Sequence, residues 1–329
     1  MNEKQKHIKT KQKTSIFRSG ATQKILAFAS LILMVIIFSV ASPYFFYFDN
    51  IIGILLSTAV NGILAVGVTF VIITSGIDLS VGTVMTFSAV MTGVFITFWK
   101  LPIPVGVIGG IATGGACGLF SGSLIAKLKI PPFIATLGVM MIAKGLSLVV
   151  SGLKPIYFVD TPAFNLIAMG TVFGIPFAIF IFLGSAGIAA LILSKTVLGR
   201  YTYALGSNEE AARLSGIKVD FWKMIIYTLG GMFSGLAGVL MASRINSAQP
   251  SLGQGYELEA IAAVVIGGTS LSGGEGTILG TVIGAFIMSV LTNGLRILSV
   301  PQEWQTVIIG VIVILAVYLD IIRRGKQRA

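Results

Sequence analysis

The stretch PVGVIGGIATGGACGLFSGSLIA, residues 104–126, contains no charged residue from one end to the other. A helix needs about 20 predominantly apolar residues to cross a hydrocarbon layer about 30 Å thick, so this stretch is long enough to span a membrane. Similar runs recur along the chain: 55% of its 329 residues are apolar, only 11% are charged, and the mean hydropathy is +0.95. Soluble domains do not have this composition. The sequence therefore predicts an all-α integral membrane protein.

The apolar runs between turn and charge signals predict about ten transmembrane helices. The eighth run is short for a crossing, and we expect a broken or re-entrant segment there, which a membrane tolerates only where protein or a watery cavity surrounds the backbone. The predicted segments are 25–41, 51–74, 80–98, 104–126, 131–150, 173–193, 222–242, 258–269, 277–295 and 304–322.

The Lys and Arg residues indicate which side each connection faces, because short cytoplasmic segments hold the excess of positive charge. Basic residues concentrate in both tails and in the connections after the fourth and sixth runs, which predicts that both termini are cytoplasmic. Lys144 is an exception, since it falls within a predicted span. The chain thus divides into a basic N-terminal tail at 1–24, a membrane domain at 25–322 with a cytoplasmic connection at about 194–223, and a basic C-terminal tail at 323–329.

The sequence argues against several classes of function. The formal charge of +11 sits at membrane edges and in tails and is not interleaved with aromatic residues, so we expect no nucleic-acid partner. Cys117, the sole cysteine, lies in a predicted span, and His7, the sole histidine, lies in a tail. We therefore expect no metal site of His and Cys ligands and no Ser/His/Asp catalytic set.

Glycines recur at every fourth position of the fourth predicted span. This spacing puts them on one face of a helix, where the missing side chains allow another backbone to approach closely. We expect this stripe to be a helix-packing surface. Its members are Gly106, Gly110, Gly114, Gly118 and Gly122.

Polar residues within membrane spans are costly, about 2.5 to 3.5 kcal/mol for an aspartate at the centre of a helix, so each needs a structural or functional reason. Asp78, in TSGIDLSVGT, is expected to cap a helix. Asn61 is expected to form a hydrogen bond between helices, although it could also face a transport pathway. Glu257 and Glu259 are expected at the outer mouth, with Glu259 capping the short eighth segment.

The stretch LSGGE, residues 271–275, differs by one letter from the LSGGQ signature of ABC-type ATPases. ATP binding also needs a G-x-x-x-x-G-K-[ST] loop, which this sequence lacks. We therefore interpret LSGGE as a tight turn between two spans. Ser272 and Glu275 have the spacing of a capping box for the helix that follows.

The cytoplasmic connection contains a second recognisable pattern, SNEEAARLSGI, residues 207–217. Ser207 or Asn208 would cap a short helix here, two glutamates suit its positive end, and Gly216 would close it. By itself this pattern indicates only a helix at the protein surface.

Several longer stretches carry a family resemblance. EAARLSG, residues 210–216, resembles the E-A-A-x-x-x-G motif of ABC importer permeases. TFVIITSGIDLSVGT at 69–83, PPFIATLG at 131–138 and the long run from INSAQP to TVIGA at 245–285 are similar to ribose-type permeases of bacterial monosaccharide ABC importers. The likeness extends from about residue 25 to 322.

The resemblance implies an ABC importer permease fold in the bacterial cytoplasmic membrane. It also implies three protein partners besides membrane lipid: a second copy or a homologous permease, a cytoplasmic ATPase and an extracytoplasmic sugar-binding protein. ATP and Mg²⁺ would be held by the ATPase, with no cofactor bound to this chain and no enzymatic activity of its own. In this family the EAA segment docks on the ATPase, which assigns that role to Glu210, Ala211, Ala212 and Gly216.

The expected cargo is a monosaccharide, with ribose first and xylose, galactose, autoinducer-2 or a nucleoside as alternatives. A sugar pathway needs few charges and several hydroxyl, amide and aromatic groups. Candidates are Asn61, Asn246, Gln249 and Tyr256. An ion-coupled secondary transporter is the alternative of another class. It predicts paired carboxylates or unwound helices that face an ion within the membrane, and the deep predicted spans contain no such pair.

Overall fold

The computed structural model describes the backbone of residues 20–328 and the side chains of 25–318 and 320–322. The predictions about basic side chains in the two tails fall outside these residues. The helices are α1 Gly20–Ala41, α2 Phe48–Ile73, α3 Val81–Gly93, α4 Ile103–Ala126, α5 Pro132–Ser151, α6 Leu166–Met169, α7 Phe177–Lys195, α8 Val197–Ser207, α9 Glu209–Leu214, α10 Val219–Ile245, α11 Tyr256–Ile266, α12 Ile278–Ile297 and α13 Gln302–Arg328.

The remaining regular elements are short. The last turn of α3 continues as a π-helical segment, Val94–Phe98, and a 3-10 turn covers Pro162–Phe164. Strand β1, Ile156–Tyr157, pairs antiparallel with β4, Ser247–Ala248. Strands β2, Thr171–Val172, and β3, Ile175–Pro176, form a small hairpin.

The ten predicted segments all coincide with helices. Among the described residues, eight helices are long and apolar enough to cross a membrane, and Ile25–Ala41 of α1 is a further apolar helix. The remaining predicted segment, the eighth in chain order, is α11, whose 11 residues extend only about 16 Å. The expectation of a short or broken eighth segment is therefore confirmed. The sixth begins later than predicted because residues 171–176 form the β2–β3 hairpin. The chain is an all-α multi-pass membrane protein.

Helix α2 forms the centre of the bundle. Every residue from 58 to 73 is buried, and α2 contacts α7, α10, α11 and α12. An apolar helix in a membrane can face either lipid or other helices, and the burial of this stretch shows that it faces other helices. The core is therefore built around the second half of α2.

The glycine stripe of α4 lies against α10. A Cβ atom at Gly114 would overlap the carbonyl oxygen of Gly231, and one at Gly118 would overlap that of Tyr227. Gly122 likewise faces the backbone of Met224. Nearer the start of α4 the stripe meets side chains instead: Gly106 lies against Ile96 and Gly110 against Thr92.

Two helices begin inside the bundle rather than at its surface. A Cβ atom at Gly238, in the second half of α10, would overlap the carbonyl oxygen of Met85, so α3 begins near the middle of α10. Gly284 contacts Ala263 and Gly280 contacts Gly267, which makes α11 antiparallel to α12 and sets the start of α11 well inside the end of α12.

The starts of α3 and α11 adjoin each other. A Cβ atom at Gly82, the second residue of α3, would overlap the carbonyl oxygen of Gly253 and lie 3.3 Å from the backbone nitrogen of Glu257. Each start follows a non-helical segment, 74–80 before α3 and 246–255 before α11. Such backbone is tolerated at membrane depth only where protein or a watery cavity surrounds it.

We predict that Gly114→Leu destabilises the protein, because its side chain must displace the backbone of α10. Overpacking usually costs about 1–3 kcal/mol, and here the obstructing atoms are backbone atoms that cannot change rotamer. The effect is measured as the unfolding temperature of the detergent-purified variant, with loss of the folded protein monitored by size-exclusion chromatography. Gly145→Leu is the matched control, since α5 leaves open space around Gly145. Equal unfolding temperatures for both variants would contradict the packing role.

Candidate functional site

The short helix α9 is presented at the surface, as the sequence predicts. The side chain of Asn208 caps it, with Oδ1 accepting a hydrogen bond from the backbone nitrogen of Ala211 at 2.9 Å. Gly216 ends the turn at φ +83°, a conformation that favours glycine. Ala212 is buried beneath the helix, whereas the side chain of Glu210 is 74% exposed. The segment therefore offers one solvent-facing side for a partner.

Ion pairs hold α9 against the start of α10. Lys223 contacts Glu209 at 2.6 Å, and Arg213 lies between Glu209 and Asp220. Asp220 also pairs with Lys129, in the connection from α4 to α5, at 2.7 Å. Exposed pairs contribute little individually, typically about 0–1 kcal/mol, but together they fix the orientation of α9. The sequence did not reveal this network.

Helix α8 was not predicted as a separate element. The residue in the sequence that could have indicated its start is Thr196. Its hydroxyl accepts a hydrogen bond from the backbone nitrogen of Gly199 at 3.4 Å and caps the helix. Near its end, the hydroxyl of Tyr203 donates to the carbonyl oxygen of Gly276 at 2.7 Å. Burial raises the pKa of Tyr203 above its ordinary value, which keeps the hydroxyl protonated as a donor.

LSGGE forms a turn between α11 and α12, as predicted. The capping-box prediction for Ser272 and Glu275 is wrong, because α12 begins later, at Ile278, and is capped by Thr277 through a bond from the nitrogen of Gly280 at 3.2 Å. Gly273 and Gly274 have positive φ angles of 80° and 75°, and they continue the turn beyond the point where the pattern predicts a helix.

This turn, residues 270–276, joins three elements at the end of the bundle that carries α9. The backbone nitrogen of Gly274 donates to the carbonyl oxygen of Ile73 at 2.8 Å, at the end of α2. The hydroxyl of Ser75 donates to the carbonyl oxygen of Ser272 at 2.8 Å. A Cβ atom at Gly206, at the end of α8, would overlap the carbonyl oxygen of Ile73. We call this set of contacts the glycine junction.

Asn61 bridges two helices in the interior. Its Nδ2 donates to Oε2 of Glu259 at 2.7 Å, joining α2 to α11, and its Oδ1 is buried without a hydrogen-bond partner among the described residues. The prediction that Glu259 caps α11 is therefore wrong, since its carboxylate bonds to Asn61. Glu257 instead accepts from the backbone nitrogen of Gly255 at 3.1 Å. Both glutamates lie inside the bundle with the start of α11, not at its outer mouth.

The other pathway candidates lie on or next to the segment 246–255. Asn246 ends α10 in the left-handed conformation, and its Oδ1 is buried without a partner among the described residues. Gln249 is exposed and borders a cavity of about 10 Å³, which is about the space of one water molecule and too small for a monosaccharide. Tyr256 is the first residue of α11 and is half-buried.

Asp78 lies just before α3, as predicted, but does not cap its first turn. Its Oδ1 accepts from the backbone nitrogen of Ser80 at 2.8 Å and from the Ser80 hydroxyl at 2.6 Å. These bonds stabilise the non-helical segment 74–80 ahead of the helix. Among the described residues, no three His, Cys, Asp or Glu side chains are grouped as a metal site.

Comparisons with known proteins agree with this architecture. A family model described as the permease component of branched-chain amino acid transport systems matches residues 50–317. The chain is 44% identical to the ribose import permease RbsC of Bacillus subtilis, over 96% of this chain and 98% of that protein. It is 42% identical to the ribose import permease RbsC of Escherichia coli K12 (88% and 91% covered), and 38% identical to the D-allose transport system permease AlsC of the same strain (89% and 90%).

We predict that Glu259→Ala destabilises the protein by leaving the Asn61 amide buried without a partner, at a cost of about 1–3 kcal/mol. A double-mutant cycle with Asn61→Ala isolates the interaction, because the double variant leaves neither group unpaired. Unfolding temperatures of the four purified proteins provide the measurement. If the two single losses simply add in the double variant, the hydrogen bond contributes nothing to stability.

Proposed function

The chain belongs to the family of ABC importer permeases that includes the ribose import permeases, and from that premise we propose that it carries a monosaccharide, ribose first, into the bacterial cell. The observation that carries the proposal is the 44% identity to a ribose import permease over nearly the full length of both chains. The chain is a transport component of the bacterial cytoplasmic membrane.

ATP hydrolysis is assigned to a separate subunit. The chain has no phosphate-binding loop of its own, and the exposed side of α9 suits a protein partner. We propose that Glu210, Ala211, Ala212 and Gly216 form the docking segment for an ABC ATPase, which holds ATP and Mg²⁺. A second permease copy, or a homologous permease, would complete the pathway, and an extracytoplasmic binding protein would deliver the sugar.

The geometry supports a specific route for coupling. Motion imposed on α9 passes to α8, which directly precedes it, and from α8 to the glycine junction. Tyr203 bonds to the turn 270–276 there, and that turn directly follows α11. Because protein interiors are closely packed and resist compression, a displacement at the junction moves α11 rather than being absorbed. Helix α11 begins in the interior, so its movement rearranges the groups around Asn61 and Tyr256.

The polar groups near the start of α11 suit a neutral, hydroxylated cargo. Asn61, Asn246 and Gln249 offer amide donors and acceptors, and Tyr256 offers an aromatic face with a hydroxyl. We propose that these groups exchange hydrogen bonds with the sugar as it passes. Allose, xylose and other sugars, autoinducer-2 or a nucleoside remain alternative cargoes of the same machine.

An ion-coupled transporter is the second candidate, and one observation bears on it. Glu257 and Glu259 place two carboxylates inside the bundle, where such a transporter needs a pair, but residues two apart on a helix point to different sides. In addition, Glu257 accepts a bond from Gly255 and Glu259 one from Asn61. These bonds support a structural role for both carboxylates.

Reconstitution tests the function directly. The permease is placed in proteoliposomes with its ATPase and binding protein, and uptake of radiolabelled ribose is compared with that of xylose and allose. We expect uptake that requires ATP inside the vesicle. Uptake that proceeds without the ATPase and follows an ion gradient would instead identify the protein as a secondary transporter.

We predict that Glu210→Lys abolishes retention of the ATPase during purification and abolishes uptake, because it reverses a charge on the docking side of α9. Exposed substitutions usually change stability by no more than about 0.5 kcal/mol, so the membrane protein should accumulate normally. Asp160→Lys, an equal charge reversal at an exposed site in the connection from α5 to α6, is the control. Full ATPase retention in Glu210→Lys would remove the assigned role of this segment.

A further inference from the structure

Lys144 is the one charged residue of α5. A lysine within an apolar span is unfavourable in lipid, and such residues face the bundle interior or a water-filled cavity. The position has no part in the docking segment, in the glycine junction or among the pathway candidates already described.

Lys144 lies in the second half of α5, about 10 Å along the helix from its last residue, Ser151. It is about 18 Å along the helix from Pro132, at a rise of 1.5 Å per residue. The start of α5 is at the end of the bundle where Lys129 pairs with Asp220, next to α9. Side chains of a helix tilt toward its N-terminus, so Lys144 points back along α5, away from the nearer membrane surface. It cannot readily extend to that surface as lysines near helix ends do.

The ammonium group of Lys144 instead faces a polar partner in the interior segment. Its Nζ lies 3.5 Å from Oε1 of Gln254, in the non-helical segment before α11. This distance is at the limit of a hydrogen bond, so the pair holds neither side chain firmly. Most of the donor capacity of Lys144 is therefore available to another group.

The two sides of α5 differ in character. Ile142 and Val149, both apolar, are 50% and 76% exposed, as expected of a surface in contact with lipid. Lys144 lies at the edge of that surface: Met141 beside it is 61% exposed, whereas Met140 and Leu148 are half-buried. The neighbouring segment 246–255 exposes Gln249 and Gln254. Non-helical backbone with exposed amides cannot face lipid at membrane depth. This side must therefore border water or protein.

We propose that Lys144 and Gln254 form a binding site for the hydroxyl groups of the transported sugar on its pathway. The inference rests on the proposed function. An ammonium group donates up to three hydrogen bonds, and an amide both donates and accepts, a combination suited to adjacent sugar hydroxyls. The positive charge favours neutral or anionic sugars and disfavours sugars that carry an amine.

Cysteine labelling tests whether this side of α5 borders the pathway. In a Cys117→Ala background, single variants Lys144→Cys and Gln254→Cys are treated with a water-soluble, membrane-impermeant methanethiosulfonate in the assembled transporter. Ile142→Cys and Val149→Cys, on the lipid side of the same helix, are the controls. Because the cysteine thiolate attacks the reagent and displaces methanesulfinate, and because a thiol ionises readily only in contact with water, we expect labelling at 144 and 254 at least about tenfold faster than at the controls. Labelling at 144 and 254 should be slower while the transporter is importing ribose.

Transport kinetics test whether Lys144 binds the sugar. Lys144→Met removes a hydrogen bond donated by a charged group, so we expect ribose uptake to fall about tenfold or more. ATPase retention should not change, and Lys144→Arg should restore part of the uptake. Full uptake by Lys144→Met, or equal labelling of all four cysteines, overturns the proposal. If Lys144→Met fails to fold, the labelling rates decide alone. Absence of any sugar uptake by the unmodified complex would instead contradict the proposed function, and labelling would still report whether this side is aqueous.

Discussion

The structure depends on hydrogen-bond partners for the backbone that is not helical inside the bundle. The segments 74–80 and 246–255 are such backbone, and hydrocarbon offers their N–H and C=O groups no partner. The bundle supplies partners instead: Thr136 donates to the carbonyl oxygen of Ile77 at 3.3 Å, and the carbonyl oxygen of Asn246 accepts from the backbone nitrogen of Phe158 at 3.3 Å. Both segments are stable only because other elements enclose them, and that requirement fixes where those elements pack.

Close backbone contact makes this enclosure possible. Glycines bring α4 against α10 and α11 against α12, and Gly82 brings the starts of α3 and α11 together. In lipid there is no hydrophobic drive between helices, so close van der Waals contact has to supply the association. The same contacts leave little room for independent motion of α10 or α12.

The sequence correctly predicted features that depend on neighbouring residues, and it missed contacts between residues far apart in the chain. Apolar run length located every membrane helix, and Asn208 with Gly216 delimited α9 correctly, because caps act within a few residues. Glu259 was misassigned as a cap because its partner, Asn61, is 198 positions away in the chain. Lys144 and Gln254 are 110 positions apart, so only the fold brings them together. Ser272 and Glu275 matched a local pattern that two glycines with positive φ overrode.

In the proposed importer, these features connect the cytoplasmic surface to the middle of the membrane. A continuous helix transmits a push along its whole length and shifts both of its ends. Helix α11 has one end near the glycine junction and the other at the interior break, so a displacement at the cytoplasmic surface reaches the polar groups around Asn61, Gln254 and Tyr256 without moving the opposite face of the membrane. On this proposal, the broken helix confines the change to the part of the pathway where a sugar must exchange hydrogen-bond partners.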